Sequence, residues 1–443
     1  MFVSGQTSRT PSIHERAHRA SQAFENIRTF VLLTMPDVNL VQDRTVVCFA
    51  GPRDHYEGAA ALAQAGLLER LVTDAYFAGQ AWHDHTPGQV REYVRARRNQ
   101  LIEADAVSLS ACAFFWEIFG RLPGVNQQAC RNRKDAAIGR HAAFVAEKTE
   151  AHLLAYSYYA GAAFASGRRL RSRLLFQVHP AVAPLRRLYQ EEINREPAAR
   201  DSLSAEMEMQ PMDAHAEAEQ TAPIQAQGIL CASSFTRRTL VEAGATAPVH
   251  VMPYGVDATI YRCRSLAPTG KFTVAFIGAF TARKGALYLL RALRPLAAHV
   301  RLVIYTRAKI DPALAAELGG LDVEIRSGLS NEALAADITR CHLLALPSIA
   351  EGFGLAISEA MACGVPVVCT ENTGGADFIR PGEGYVLPIR SADKLTQVFT
   401  EAMAGQEALY EMGQAARRRV EQMTWADYRR RFADAYLSLI ESL

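Results

Sequence analysis

Leu343 to Thr370 reads LLALPSIAEGFGLAISEAMACGVPVVCT, and the order of its parts decides the fold. LLALPS is a short apolar run that predicts a buried strand ending at Ser348. Ile349–Gly354 is then the loop at that strand's C-terminal end, with Gly352 and Gly354 permitting a tight turn. Small apolar residues from Leu355 onward predict a helix, and VPVVCT predicts the next strand. Two carboxylates lie eight positions apart in this unit. Glu351 sits in the loop, and Glu359 about a turn inside the helix.

The free N–H groups and the positive dipole end of the helix starting near Leu355 make a site suited to a diphosphate or another anion. Glu359 is close enough to offer acceptor oxygens to hydroxyls. A polyol carried on a diphosphate satisfies both features, and nucleotide-sugars are such molecules. Taken alone, each glutamate also has a plainer reading: Glu351 as a charge at a helix N-terminus, Glu359 as an exposed helix residue.

The same unit recurs along the chain. FTVAFIGAF (Phe272–Phe280), VRLVIY (Val300–Tyr305) and VEIRSG predict strands, with helices over Lys284–Leu296 and Pro312–Leu318. In the first half, RTVVCFA (Arg44–Ala50), LVTDAYF (Leu71–Phe77), LLAYSYY (Leu153–Tyr159), RLLFQVH (Arg173–His179), GILCASS (Gly228–Ser234) and VHVMPYGVD (Val249–Asp257) predict strands. FTRRTLVEAG (Phe235–Gly244) predicts a helix, residues 80–150 read as helical, and 186–228 as polar, acidic helices. Strands alternating with helices predict parallel sheets covered on both faces. At 443 residues the chain exceeds a single core and predicts two domains. Arg262–Lys271, with Pro268 and Gly270, is the best linker. The fold expected is α/β, two Rossmann-like domains facing a cleft lined by the loops after the strands.

A formal net charge of +2 gives no whole-molecule field pointing to nucleic acid. The eight cysteines lack paired CxxC spacing and mostly sit in apolar runs, which reads as reduced core cysteines in a reducing cytoplasm. No run reaches the roughly 18 apolar residues of a membrane span. TFVLLTM (Thr29–Met35) is too short and makes a poor signal peptide. Residues 1–43 read as a partly disordered extension outside the main fold. Arg91–Arg98 (REYVRARR) is a basic run that suits a solvated helix face, an anionic substrate or a membrane surface.

LPSIAEGFGLAISEAMACGVPVV resembles the donor-site signature of retaining glycosyltransferases of the GT-B fold, family four. Further segments resemble that family in its order: Ser233–Asp257 its interdomain stretch, Phe276–Leu293 its glycine–lysine phosphate segment, Arg326–Ser348 its nucleotide-base region, and TWADYRRRF (Thr424–Phe432) its helix crossing back to the first domain. The resemblance covers Gly228–Leu443 closely. It is thin over residues 44–227, where it rests on RTVVCFAG and FQVHP.

The resemblance implies an N-terminal acceptor domain over 44–262, a nucleotide-sugar domain over 263–423 and a returning helix over 424–443. It implies catalytic roles for Glu351 beside the transferred sugar, His179 near the reacting centre and Lys284 on the diphosphate. It places the ribose on Glu359 and the sugar and phosphate on the backbone of Gly352, Phe353, Gly354 and Leu355, with Gly51 approaching the diphosphate. One position departs from the pattern. Ala279 stands where the family often has arginine, and Arg283 is the candidate to supply that charge. The implied activity is transfer of a hexose, with retention, from a nucleotide-sugar to an acceptor hydroxyl in polysaccharide or glycolipid synthesis. No metal and no cofactor are expected, since no Asp-x-Asp occurs. The expected partners are the donor and a sugar or lipid-linked acceptor. The expected place is the cytoplasm, with peripheral contact at the inner membrane face open. A GT-B epimerase and a catalytically silent GT-B subunit are the alternatives.

Overall fold

The computed structural model describes residues 43–52, 54–77, 93–120, 122 and 124–443. The expected extension up to residue 42, with its TFVLLTM run, and the first two residues of the basic run at 91–98 lie outside the described residues.

Thirteen strands among the described residues form two sheets. The first holds β1 (Thr45–Cys48), β2 (Leu68–Thr73), β3 (Val107–Leu109), β4 (His152–Tyr156), β5 (Arg173–Gln177), β6 (Gly228–Cys231) and β7 (Val249–Val251). The second holds β8 (Phe272–Ile277), β9 (Val300–Tyr305), β10 (Asp322–Arg326), β11 (Leu343–Leu346), β12 (Val367–Thr370) and β13 (Tyr385–Leu387). Their orders are β3-β2-β1-β4-β5-β6-β7 and β10-β9-β8-β11-β12-β13, with every pairing parallel. Both are doubly wound sheets that reverse direction once, between β1 and β4 and between β8 and β11. The inner strands TVVC, HLLAY, GILC, LLAL and VVCT are buried at every position, because helices cover both faces.

Several strands are shorter than their sequence predicts, each for a local reason. LVTDAYF stops at Thr73, where the Asp74 carboxylate turns to accept the N–H groups of Gly51 and Ala75. FTVAFIGAF stops at Ile277 because Gly278 takes φ +124°, outside the strand region. VHVMPYGVD joins the sheet only over Val249–Val251, and the rest crosses to the second domain, with Val256 bridging Thr424. The helix expected over Lys284–Leu296 spans Ala286–Leu293 and tightens to a 3₁₀ turn at Pro295. Within 80–150, read as helical, Val107–Leu109 is an edge strand ahead of helices Ala111–Phe119 and Gln127–Thr149.

The chain returns to the first domain through helix Trp425–Glu441. Thr424 caps it, its hydroxyl accepting the Asp427 N–H at 3.1 Å. Tyr428, Phe432, Tyr436 and Leu439 form its buried stripe at helical spacing. Phe432 lies 6.1 Å from the Phe176 ring of β5, and the Tyr436 hydroxyl meets Thr45 at the start of β1. Arg429 pairs with Glu57 at 2.6 Å. The two crossings between domains run side by side: the Val256 N–H donates to the Met423 carbonyl at 2.9 Å. A Cβ on Gly255 would lie 2.7 Å from the Trp425 backbone, so only glycine allows this approach. Away from this hinge, helix Val182–Arg195 bonds the second domain. Buried Glu192 accepts from the Tyr288 hydroxyl at 2.7 Å and from Arg390 at 2.6 Å. No helix among the described residues is long and apolar enough to cross a membrane.

Candidate active site

The two sheet reversals place the predicted residues. Gly51 follows β1, and Gly278 and Lys284 follow β8. Glu351 follows β11, and His179 follows β5 of the other domain.

The loop after β8 is shaped by two glycines. The Lys284 side chain runs over Gly278, where a Cβ would stand 3.2 Å from Nζ. Gly285 takes φ +78° and presses on the Pro347 carbonyl, 1.9 Å from where a Cβ would be. The loops after β8 and β11 are also joined by the Ile349 N–H donating to the Arg283 carbonyl at 2.8 Å.

The Glu351 loop is pinned along its length. Thr370 Oγ1 donates to the Ser348 carbonyl, Asn372 Nδ2 to the Ile349 carbonyl, and the Glu351 N–H to the Asn372 carbonyl at 3.0 Å. Gly352 lies under the Val178 carbonyl of the first domain; a Cβ would come within 2.3 Å of that oxygen. His179, the next residue, meets the Tyr158 ring edge-on at 5.5 Å. Gly354, at φ +88°, opens helix Leu355–Ala362. The Phe353 side chain packs away, edge-on to Tyr254 at 5.3 Å, leaving its backbone to the loop.

The two glutamates are shifted in opposite directions. Lys284 Nζ lies 2.7 Å and Arg283 Nη1 3.5 Å from Glu351 Oε2. Burial pushes this carboxyl up, but Lys284, Arg283 and His179 outweigh burial and bring it down to about 2. No ion pair reaches Glu359 among the described residues. Burial pushes it up to about 7, against the opposing hydrogen bond from Tyr261.

Arg283, expected on the phosphates, is engaged otherwise. Its Nε lies 3.0 Å from Glu206 of the first domain, and its Nη1 donates to the Ala350 carbonyl at 3.2 Å. Gly51, at φ +78°, gives its N–H to Asp74 at 3.0 Å, and Asp74 faces Arg97 at 3.7 Å and Lys134 at 3.9 Å. Sequence reasoning missed Glu206, Asp74, Asn372 and Tyr261. None carries a local signal, because each meets the site from a distant part of the chain.

Two hollows adjoin these residues. One of about 400 Å³ lies at the ends of β8, β9 and β10, beside Ala279, Thr306 and Gly328. The other, about 540 Å³, is lined by Leu355, Glu359 and Tyr261 together with His55, Asn99 and Trp425. Asn331 borders both. A wider hollow of about 920 Å³ along Thr259–Thr269 contains none of the candidate residues. Among the described residues no three His, Cys, Asp or Glu side chains converge as a metal site.

Residues 257–419 match the family model described as glycosyl transferases group 1. The chain is 31% identical over 208 residues to the MMP alpha-(1->4)-mannosyltransferase of Mycolicibacterium hassiacum, covering 44% of this chain and 50% of that protein. It is 25% identical over 240 residues to the alpha-maltose-1-phosphate synthase of Mycolicibacterium smegmatis, covering 47% and 62%. The match thus spans about half the length of the first relative and less than two-thirds of the second. Among solved structures, sucrose-phosphate synthase from Thermosynechococcus elongatus superposes with a TM-score of 0.63 at 16% identity, over 90% of this chain and 100% of that one. Anabaena HepE in complex with UDP-glucose gives 0.56 at 16% identity, over 89% and 99%. The two facing doubly wound sheets are the GT-B fold, and residues 257–419 carry the similarity to the glycosyl transferases group 1 family.

Proposed function

We propose that this protein moves a sugar from a nucleoside-diphosphate-sugar to an acceptor hydroxyl, with retention and without a metal. The observation that carries the reading is the ionised Glu351, held by Lys284 at 2.7 Å where the loops after β8 and β11 meet the first domain's His179 strand end. Lys284 and the N-terminal end of helix Leu355–Ala362 receive the diphosphate, and Glu359 the ribose. The bond between the anomeric carbon and the diphosphate oxygen breaks, and its electron pair stays on that oxygen. The acceptor oxygen bonds the same face of the carbon, and its proton passes to the leaving phosphate. Glu351 offsets positive charge growing on the sugar ring, and Lys284 negative charge growing on the phosphate. The first test is sugar release from a panel of nucleotide-sugars without acceptor, UDP-glucose among them. Release supports the transferase, and an inert protein that still binds partners supports the silent subunit.

Activity is expected to persist in excess EDTA, because a fixed ammonium and helix N–H groups occupy the role of a diphosphate-bound cation. A strict requirement for added Mg²⁺ or Mn²⁺ overturns that part of the reading.

The acceptor we infer is lipid-linked, met at an anionic membrane surface. Helix Ala111–Phe119 and the residues after it expose Phe114 (61%), Phe115 (43%), Ile118 (51%) and Leu122 (51%), an unusual concentration for a water-facing surface. Arg133 lies 4.8 Å over the adjoining Trp116 ring, and Arg131 is exposed nearby on the same helix. Lys134 ties this helix pair to the cleft, reaching Glu117 at 3.1 Å and Asp74 at 3.9 Å. The protein is expected to float with phosphatidylcholine–phosphatidylglycerol vesicles more than with phosphatidylcholine alone. Phe114→Ser with Phe115→Ser should weaken that binding about tenfold or more, given roughly 1.5–3 kcal/mol per buried aromatic side chain. Failure to bind either vesicle, or self-association through this face in sedimentation, counts against a membrane.

A further inference from the structure

The Glu351 loop is steadied from the other domain by one acidic side chain, and the contact passes through Arg283. Residues Arg200–Ser204 form a short helix of the first domain, followed by a turn at Glu206. This segment lies on the Lys284 loop of the second domain. Ser202 Oγ accepts the Ala282 N–H at 2.9 Å, two residues before Lys284. Glu206 Oε1 lies 3.0 Å from Arg283 Nε. The other edge of the same guanidinium holds the Ala350 carbonyl at 3.2 Å and Glu351 Oε2 at 3.5 Å. All three side chains are largely enclosed, so solvent screens little of this chain of contacts.

From this geometry we infer that Glu206 is a positioning residue. It orients the Arg283 fork, which then fixes the carboxylate of Glu351 and the carbonyl before it. The inference rests on the transferase reading above. A guanidinium has donors on both edges of a rigid plane, so holding one edge sets the direction of the other. An ammonium at the same place supplies charge but no such plane. Arg283 therefore acts here as a bracket between the domains, not as a free cation for the phosphates. The arrangement also makes Glu351's geometry depend on how the first domain sits, since Glu206 and Ser202 move with it.

The experiment compares Glu206→Ala, Glu206→Gln and Arg283→Lys with wild type, using whichever nucleotide-sugar of the panel the wild type hydrolyses, UDP-glucose first. Glu206→Ala should lose about tenfold or more in kcat while donor KM stays within about twofold, because a displaced reacting group costs turnover more than binding. Glu206→Gln keeps an oxygen acceptor for Nε and should retain most of the wild-type kcat. Arg283→Lys should be as impaired as Arg283→Ala. Wild-type kcat in Glu206→Ala overturns the inference. So does wild-type kcat in Arg283→Lys, which would return Arg283 to a simple charge. A Glu206→Ala loss that Gln does not recover, accompanied by a lowered thermal midpoint and a raised KM, marks a merely structural contact and also overturns it. If the wild type hydrolyses no nucleotide-sugar, the transferase reading fails and this inference with it. An active wild type with an unaffected Glu206→Ala removes this inference alone.

Discussion

Lys284→Ala should lose at least about a hundredfold in turnover while the fold survives. Removing one fixed electrostatic stabiliser commonly costs about 3 kcal/mol of barrier. The residue is placed for two jobs at once. Its ammonium lies 2.7 Å from Glu351, and it sits over Gly278 at the sheet reversal, where the anionic leaving group is expected. The variant should also change the pH profile. Glu351 is held down to about 2 because Lys284 and Arg283 overcome the opposing effect of burial. Without Lys284 burial gains weight, so the carboxyl moves up and the acid limb of the rate profile moves to higher pH. Stability follows the same sign. A carboxyl held below its unfolded value of about 4.3 stabilises the fold above that pH and loses the contribution as pH falls toward 2. The variant should therefore be less stable than wild type at neutral pH, with the difference shrinking in acid. Steady-state kinetics and thermal unfolding between about pH 2 and 8, a window that covers both the folded and the unfolded value of this carboxyl, check both claims. Near-normal turnover in the folded variant would sink the diphosphate role.

Glu351→Gln and Glu359→Ala should fail in different ways. Gln keeps the size and most hydrogen bonding of Glu351 and removes only its charge. Charge matters most when the sugar ring becomes positive, so kcat should fall by about a hundredfold or more with donor KM little changed. On the proposed reading Glu359 would grip the ribose in ground and transition states alike, so Glu359→Ala should raise donor KM and spare kcat. Its pH behaviour offers an independent check. The carboxyl is pushed up to about 7 by burial, against the hydrogen bond from Tyr261. An ionised carboxylate is the stronger acceptor for ribose hydroxyls. Donor KM of the wild type should therefore fall as pH rises through about 7, and the trend should vanish in Glu359→Ala. Calorimetry with free nucleotide completes the comparison. If Glu351→Gln weakens nucleotide binding as much as Glu359→Ala and leaves kcat alone, the division of labour is wrong.

The inner strands of both sheets were legible because a strand covered on both faces must be apolar throughout. VRLVIY coincides with β9, and LLAL and VVCT lie within their predicted runs. The edge strands β3 (VSL) and β13 (YVL) were not, since three half-covered residues leave neither a run nor an alternation. At the site, Glu351 could be named from the strand end it follows, whereas Lys284 and His179 came only from the resemblance to family four; the doubly wound sheets bring all three strand ends together. Their electrostatic state could not. It depends on which cations reach which carboxylate, and Glu206, 145 residues before Glu351, enters only through tertiary packing. Arg283 shows the same limit. Its charge was visible in the sequence, but the carboxylate that claims its far edge was not.

The side-by-side crossings at Val256 and Met423 have a consequence for modularity. Everything between them is one uninterrupted insert whose entry and exit are a single hydrogen bond apart, 2.9 Å. The segment before the insert and the helix after it close on each other through Thr45 and Tyr436. The second domain can thus be exchanged as a cassette at two neighbouring peptide junctions, with no loop to rebuild. What restricts the exchange is the seam: a foreign insert must offer partners to Glu192, Ser202 and Glu206, and a glycine where Gly352 slides beneath Val178.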